Sequence, residues 1–177
     1  MLTDIQIKDL AKKMNIPLER VCFKDQLTQK PLKFNRSYII NMDNELDEDG
    51  KPNEGSHWVC FQVNKYKSGV KEGIYFDSYG QPPPEIVEKY CGKIPYNKKD
   101  IQSLMCGACG WYCLAFLHFI NSSPCRSRHL YTDAEGFMSM FDDLNKSIDY
   151  KKNEFVLKHF FEPKDKSLRK PILQDNV

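Results

Sequence analysis

The chain has almost no charge of one sign to spare: 26 Lys and Arg stand against 24 Asp and Glu in 177 residues. Net charge alone therefore does not point to nucleic acid or to a membrane surface. It also lacks a long apolar run. The longest, Trp111 to Ile120 with His118 inside it, is too short to span a bilayer. Met1-Leu2-Thr3-Asp4 carries no basic stretch leading into an apolar core, so the reading is a protein that is neither membrane-spanning nor secreted. Internal repeats and low-complexity tracts are missing, which excludes solenoid and linker-like chains. What is present is 41% apolar and 12% aromatic residues, enough for one core. A single domain over residues 1–177 is expected, with 151–177 as a basic C-terminal segment. Seven cysteines make an odd number, and Cys106, Cys109 and Cys113 crowd one short stretch. That pattern suits free thiols in a reducing compartment better than a disulfide lattice.

Along the chain, Thr3 and Gln6 fit a capping box, and Ile7, Leu10, Ala11 and Met14 repeat at helical spacing. Ser37 to Asn41 reads as a strand, and the acidic stretch Asp43 to Glu54, with Gly50 and Pro52, as a surface loop. His57 to Val63 and Ile74 to Tyr79 are rich in aromatic and β-branched residues around a polar stretch containing Gly69, a hairpin pattern. A short helix is expected from Pro84 through Tyr90. Cys109 to Asn121 is apolar nearly all round, as a helix buried through a domain must be. Thr132 and Glu135 offer a second capping box before Phe137, Met138, Phe141 and Leu144, and a last helix is expected over Asn153 to Phe161. The fold class expected is α+β, a central buried helix packed on a small, mostly antiparallel sheet.

Three features carry chemistry. A symmetric hairpin centred on Lys67 sets His57 opposite Asp77 on one face, where a carboxylate would fix the imidazole tautomer; a one-residue bulge would turn Asp77 away. Cys109, in Cys106-Gly-Ala-Cys-Gly-Trp111, opens the apolar helix. Its free backbone amides and dipole favour a thiolate and an oxyanion. Gln102, seven residues earlier, offers a side-chain NH2 as a second oxyanion donor. Taken singly, each residue has an ordinary structural role: a core cysteine, a strand histidine, a turn aspartate. The same cysteines also fit a zinc site, Cys106-x2-Cys109-x3-Cys113 with Cys91, Cys125 or His118 as fourth ligand.

As a set, these residues resemble those of the adenovirus maturation protease family and, more distantly, the Ulp/SENP proteases of ubiquitin-like proteins. Gly55-Ser-His-Trp58 is similar to the family's His-Trp at a strand start, Tyr75-Phe-Asp-Ser-Tyr79 to its acidic strand end, and Ala108-Cys-Gly110 to its nucleophile turn. Gln102 stands seven residues before Cys109, as the family's oxyanion glutamine does before its nucleophile. The likeness covers residues 1 to 121. It implies a papain-like, Ulp-like fold and a cysteine endopeptidase, with Cys109 as nucleophile, His57 as base, Asp77 as orienting acid, Gln102 and the Cys109 amide at the oxyanion, and Trp58 shielding the pair and lending a backbone N–H. It further implies cleavage of viral capsid or core precursors at glycine-containing sites, by a monomer in the host cytoplasm or a viral factory and packaged in the virion. No cofactor is required on this reading, though relatives use an activating peptide, disulfide-bonded to a thiol placed like Cys91, and nonspecific DNA. Alternatives are an isopeptidase acting on host ubiquitin-like conjugates and a non-enzymatic zinc- or DNA-binding module.

Overall fold

The computed structural model describes residues 1–104, 106–122, 129–146 and 150–161. The capping box at the start of the chain forms: the Thr3 hydroxyl accepts from the Gln6 amide, and Gln6 Oε1 from the Thr3 amide. Helix α1 follows over Asp4–Lys13, burying Ile7, Leu10 and Ala11. Strand β1, Leu18–Phe23, was not expected, since it mixes Glu19 and Arg20 with apolar residues. Those charges find partners laterally. Glu19 pairs with Lys33 and Arg36, and the Arg20 guanidinium reaches the Leu27 carbonyl of a 3-10 turn over Lys24–Gln29.

Strands β2 (Arg36–Asn41), β3 (Trp58–Lys65) and β4 (Lys71–Phe76) complete a four-stranded sheet in the order β1-β2-β3-β4. The β1–β2 pair is parallel and the other two are antiparallel, so the sheet is mixed. Alternation along the strands separates two cores. Ile39, Cys60, Ile74 and Phe76 belong to the larger one, which holds the helix α3, Cys109–Ser122, while Tyr38, Ile40, Val59, Phe61 and Tyr75 form the second with Val87 of α2, Glu85–Cys91. Ten residues of α3 are buried, as its all-round apolar sequence requires. A polar triad, Ser37, Gln62 and Asn121, ties its far end to β2 and β3.

Two helices close the large core: α4, Leu130–Met138, and α5, Tyr150–Phe161. The second capping box does not form. The capping position of α4 falls at His129, which makes no side-chain cap; Glu72 on β4 instead reaches across to accept from the Tyr131 amide, and Thr132 lies inside the helix. Helix α5 begins three residues before the expected Asn153. The architecture is α+β, and of the basic C-terminal segment, residues 162–177 lie outside the described residues.

Candidate active site

His57 and Asp77 do meet, at 2.8 Å from Nε2 to Oδ1, but not through direct opposition in the ladder. Cys60 pairs with Phe76, so the hairpin centre falls one residue later than Lys67, and the tight turn Tyr66–Val70 with Gly69 at φ 84° sets that register. Both residues lie just outside the strands, His57 before β3 and Asp77 after β4. There the chain is held by side chains. Asn97 Oδ1 accepts from the Asp77 amide at 2.9 Å, and Asn97 Nδ2 donates to the Asp77 carbonyl at 2.6 Å. The Tyr79 amide donates to Asp77 Oδ1 at 2.8 Å. With its backbone fixed and its side chain 3% exposed, the carboxylate can only face the imidazole, itself 14% exposed.

Because a carboxylate accepts, Nε2 carries the proton toward Asp77, which leaves Nδ1 as the ring nitrogen open to a second partner, and Cys109 is near enough to act on the ring. Burial of the ring opposes its charge, but the Asp77 hydrogen bond, then that to Cys109, and the charges of both overcome it and raise His57 to about 9. The imidazolium is therefore held through neutral pH. Cys109 is the first residue of α3, so its amide has no intrahelical acceptor, and the helix start favours an anion there. Gly110 permits the close seat: a Cβ there would lie 3.2 Å from Leu2 Cβ.

Gln102 is 2% exposed and fixed on both sides of its amide. Ser78 Oγ donates to Oε1 at 2.8 Å, while Nε2 donates to the Cys106 carbonyl at 2.5 Å and to the Tyr79 hydroxyl at 3.1 Å. The Cys106 carbonyl accepts only, so the amide orientation is determined. The backbone of the same segment is pinned too: the Ile101 and Gln102 amides donate to the Ser78 carbonyl, and the Ile101 carbonyl accepts from Tyr112 Oη and Asn153 Nδ2. Lys99 Nζ reaches the Met138 and Phe141 carbonyls at the end of α4.

The structure thus gathers Cys109, His57, Asp77 and Gln102. Trp58 is buried beside them, its indole N–H donating to the Leu2 carbonyl at 2.9 Å and its own carbonyl accepting from Cys113 Sγ at 3.4 Å. Cys91 is elsewhere, at the end of α2 with the second core, its thiol 3.1 Å from the Val87 carbonyl. The zinc spacing does not assemble. Cys113 faces Cys60 and Trp58, His118 Nδ1 meets the Met14 carbonyl, and among the described residues no three His, Cys, Asp or Glu side chains converge; Cys125 lies outside them. Burial pushes the Cys106 and Cys91 thiols up to about 11, and a carboxylate, Glu154 for Cys106 and Glu88 for Cys91, adds to it.

Sequence reasoning missed Ser78, Tyr79, Asn97 and Asn153. Two of these stand in the Tyr75-Phe-Asp-Ser-Tyr79 motif, and their neighbourhood to Asp77 was the available signal; Asn97 and Asn153 gave none. Chemically, the arrangement offers a thiol beside a charged imidazole, an orienting carboxylate, and hydrogen-bond donors at a helix N-terminus, the parts needed for acyl transfer. No protein-family model and no curated protein matches the chain. Among the described residues no helix is long and apolar enough to cross a membrane.

Proposed function

We propose that this chain is a cysteine endopeptidase of the papain-like, Ulp-like type, with Cys109 as nucleophile. The observation that carries the reading is the single imidazole of His57, bonded through Nε2 to a buried carboxylate and near enough to Cys109, at the start of a buried helix, for the thiol to favour the charged ring. A nucleophilic route follows from those groups. The Cys109 thiolate attacks a scissile carbonyl carbon, and the C=O electron pair moves onto oxygen. Collapse breaks the C–N bond as the His57 Nδ1 proton passes to the departing amine, leaving a thioester. A water then adds to the thioester carbon and gives its proton to His57, and thiolate is expelled. Asp77 holds the ring and its charge throughout.

The proposed substrates are capsid or core precursors cut after glycine-containing sequences, a preference taken from the resemblance in sequence. The test uses a peptidyl-Gly-Gly-aminomethylcoumarin amide and a capsid precursor, with iodoacetamide labelling mapped by mass spectrometry. Cys109→Ala abolishes turnover and labelling at that position, whereas Cys106→Ala and Cys113→Ala keep at least a tenth of the rate. Full turnover by Cys109→Ala, or none by the unaltered chain on either substrate, sinks the proposal.

A further inference from the structure

Gln102 poses a difficulty for the simple oxyanion role: both its N–H groups are engaged inside the protein, one by the Cys106 carbonyl and one by the Tyr79 oxygen. The donor with a proton to spare is the half-buried Tyr79. Its hydroxyl accepts from Gln102 and donates to no described residue, so its own proton is available. Its position is fixed three ways. The ring stacks on His57 with centroids 4.6 Å apart and planes 29° apart, the backbone amide is held by Asp77, and the hydroxyl by Gln102. Cys109 is near enough for a thiolate there to act on the phenol, which burial and that charge together keep protonated.

Resting on the peptidase reading, we infer that Tyr79 is a catalytic residue, whose hydroxyl donates to the oxyanion formed on attack by Cys109, and that Gln102 is a positioning residue acting through it. A phenol that already accepts an N–H bond is the stronger donor, because each bond in such a chain polarises the next. The Cys109 amide completes the pair of donors around the oxygen. The same phenol packs flat against the imidazole, so one side chain orients the base and meets the developing charge.

Tyr79→Phe keeps the ring on His57 and removes only the hydroxyl. On the peptidyl-Gly-Gly amide, kcat is expected to fall by ~10²-fold, the loss typical of one oxyanion donor, with KM unchanged. Affinity for a peptidyl-Gly-glycinal, which forms a tetrahedral adduct on the thiol, falls in parallel. Alkylation of Cys109 by iodoacetamide, which creates no oxyanion, keeps its rate. Adding Gln102→Ala to Tyr79→Phe costs little more, since both act through one hydroxyl. Equal or faster turnover by Tyr79→Phe, with aldehyde affinity retained, overturns the assignment and makes Gln102 the direct donor, while an inactive Cys109→Ala leaves the peptidase reading standing. Alkylation slowed as much as turnover overturns it too, by making Tyr79 a support for the thiolate pair only.

Discussion

Asp77→Asn separates the charge of the acid from its shape. Asparagine keeps the one oxygen, Oδ1, that accepts from both the Tyr79 amide and the imidazole N–H, and Asn97 holds the backbone of residue 77 whatever its side chain. Only the negative charge is lost. The difference between about 9 and the ordinary 6.5 of His57 corresponds to ~3 kcal/mol in favour of the imidazolium, net of burial working against it. Asp77 carries the larger part of the favourable interactions, Cys109 the rest. Removing the carboxylate should therefore cost at least ~2 kcal/mol, which moves the ring more than halfway from about 9 back toward 6.5 and lowers its protonation constant ~30-fold or more. Iodoacetamide rates across pH, and histidine resonances in 13C-labelled protein, report this directly. The sign of the stability effect follows: a raised folded value stabilises fully below pH 6.5 and loses that contribution as pH rises through about 9. Unaltered protein should show a Tm that declines over this window, and Asp77→Asn a flatter one. A His57 that still titrates near 9 in Asp77→Asn, or near 6.5 in unaltered protein, refutes the reasoning.

Gly80→Ala tests the clamp behind the site. Gly80 has φ +69°, and an added Cβ would stand 2.9 Å from the Lys98 and Lys99 backbone, so a loss of ~1–3 kcal/mol is expected in denaturant titration. Because the displaced segment carries Asn97 and Gln102, turnover should fall even where the variant is fully folded; an unchanged midpoint would show the turn to be slack. Asn153→Ala strips three bonds, to the Ile101 carbonyl and to the Asp142 amide and carbonyl, from a side chain with no exposure. A destabilisation of ~2–4 kcal/mol should follow, and one below 0.5 kcal/mol would mean water replaces the amide.

What the sequence made legible was what short-range physics decides. The Thr3–Gln6 box, the apolar stripe of α1 and the all-apolar α3 each depend on residues within four positions of one another, and each formed. Strand β1 was not legible, because Glu19 and Arg20 find their partners in Lys33, Arg36 and the Leu27 carbonyl, contacts that only the fold brings together. The start of α4 failed for the same reason, its cap arriving from Glu72, 59 residues away in sequence from Tyr131. In the site, the four expected residues were legible as a pattern of types and spacings, but the means of holding them was not. Parity correctly kept His57 and Asp77 together, yet the contact is made beyond the strand ends, where Asn97 rather than the ladder fixes Asp77.

That difference has a chemical consequence. An acid oriented by ladder register would be independent of the oxyanion side, since β3 and β4 do not touch Gln102 through their pairing. Here one segment, residues 97–102, holds both: Asn97 clamps Asp77, while the Ile101 and Gln102 amides and the Gln102 side chain converge on Ser78, the next residue along. Tyr79, following Ser78, then touches Asp77 through its amide, His57 through its ring and Gln102 through its hydroxyl. Three consecutive residues, Asp77 to Tyr79, thereby couple the proton-handling half of the site to the charge-stabilising half. Substitutions on the two halves should be less than additive in ΔΔG‡, with Asp77→Asn and Gln102→Ala together costing less than the sum of each alone. Strict additivity in that cycle would mean that the two halves are held separately after all.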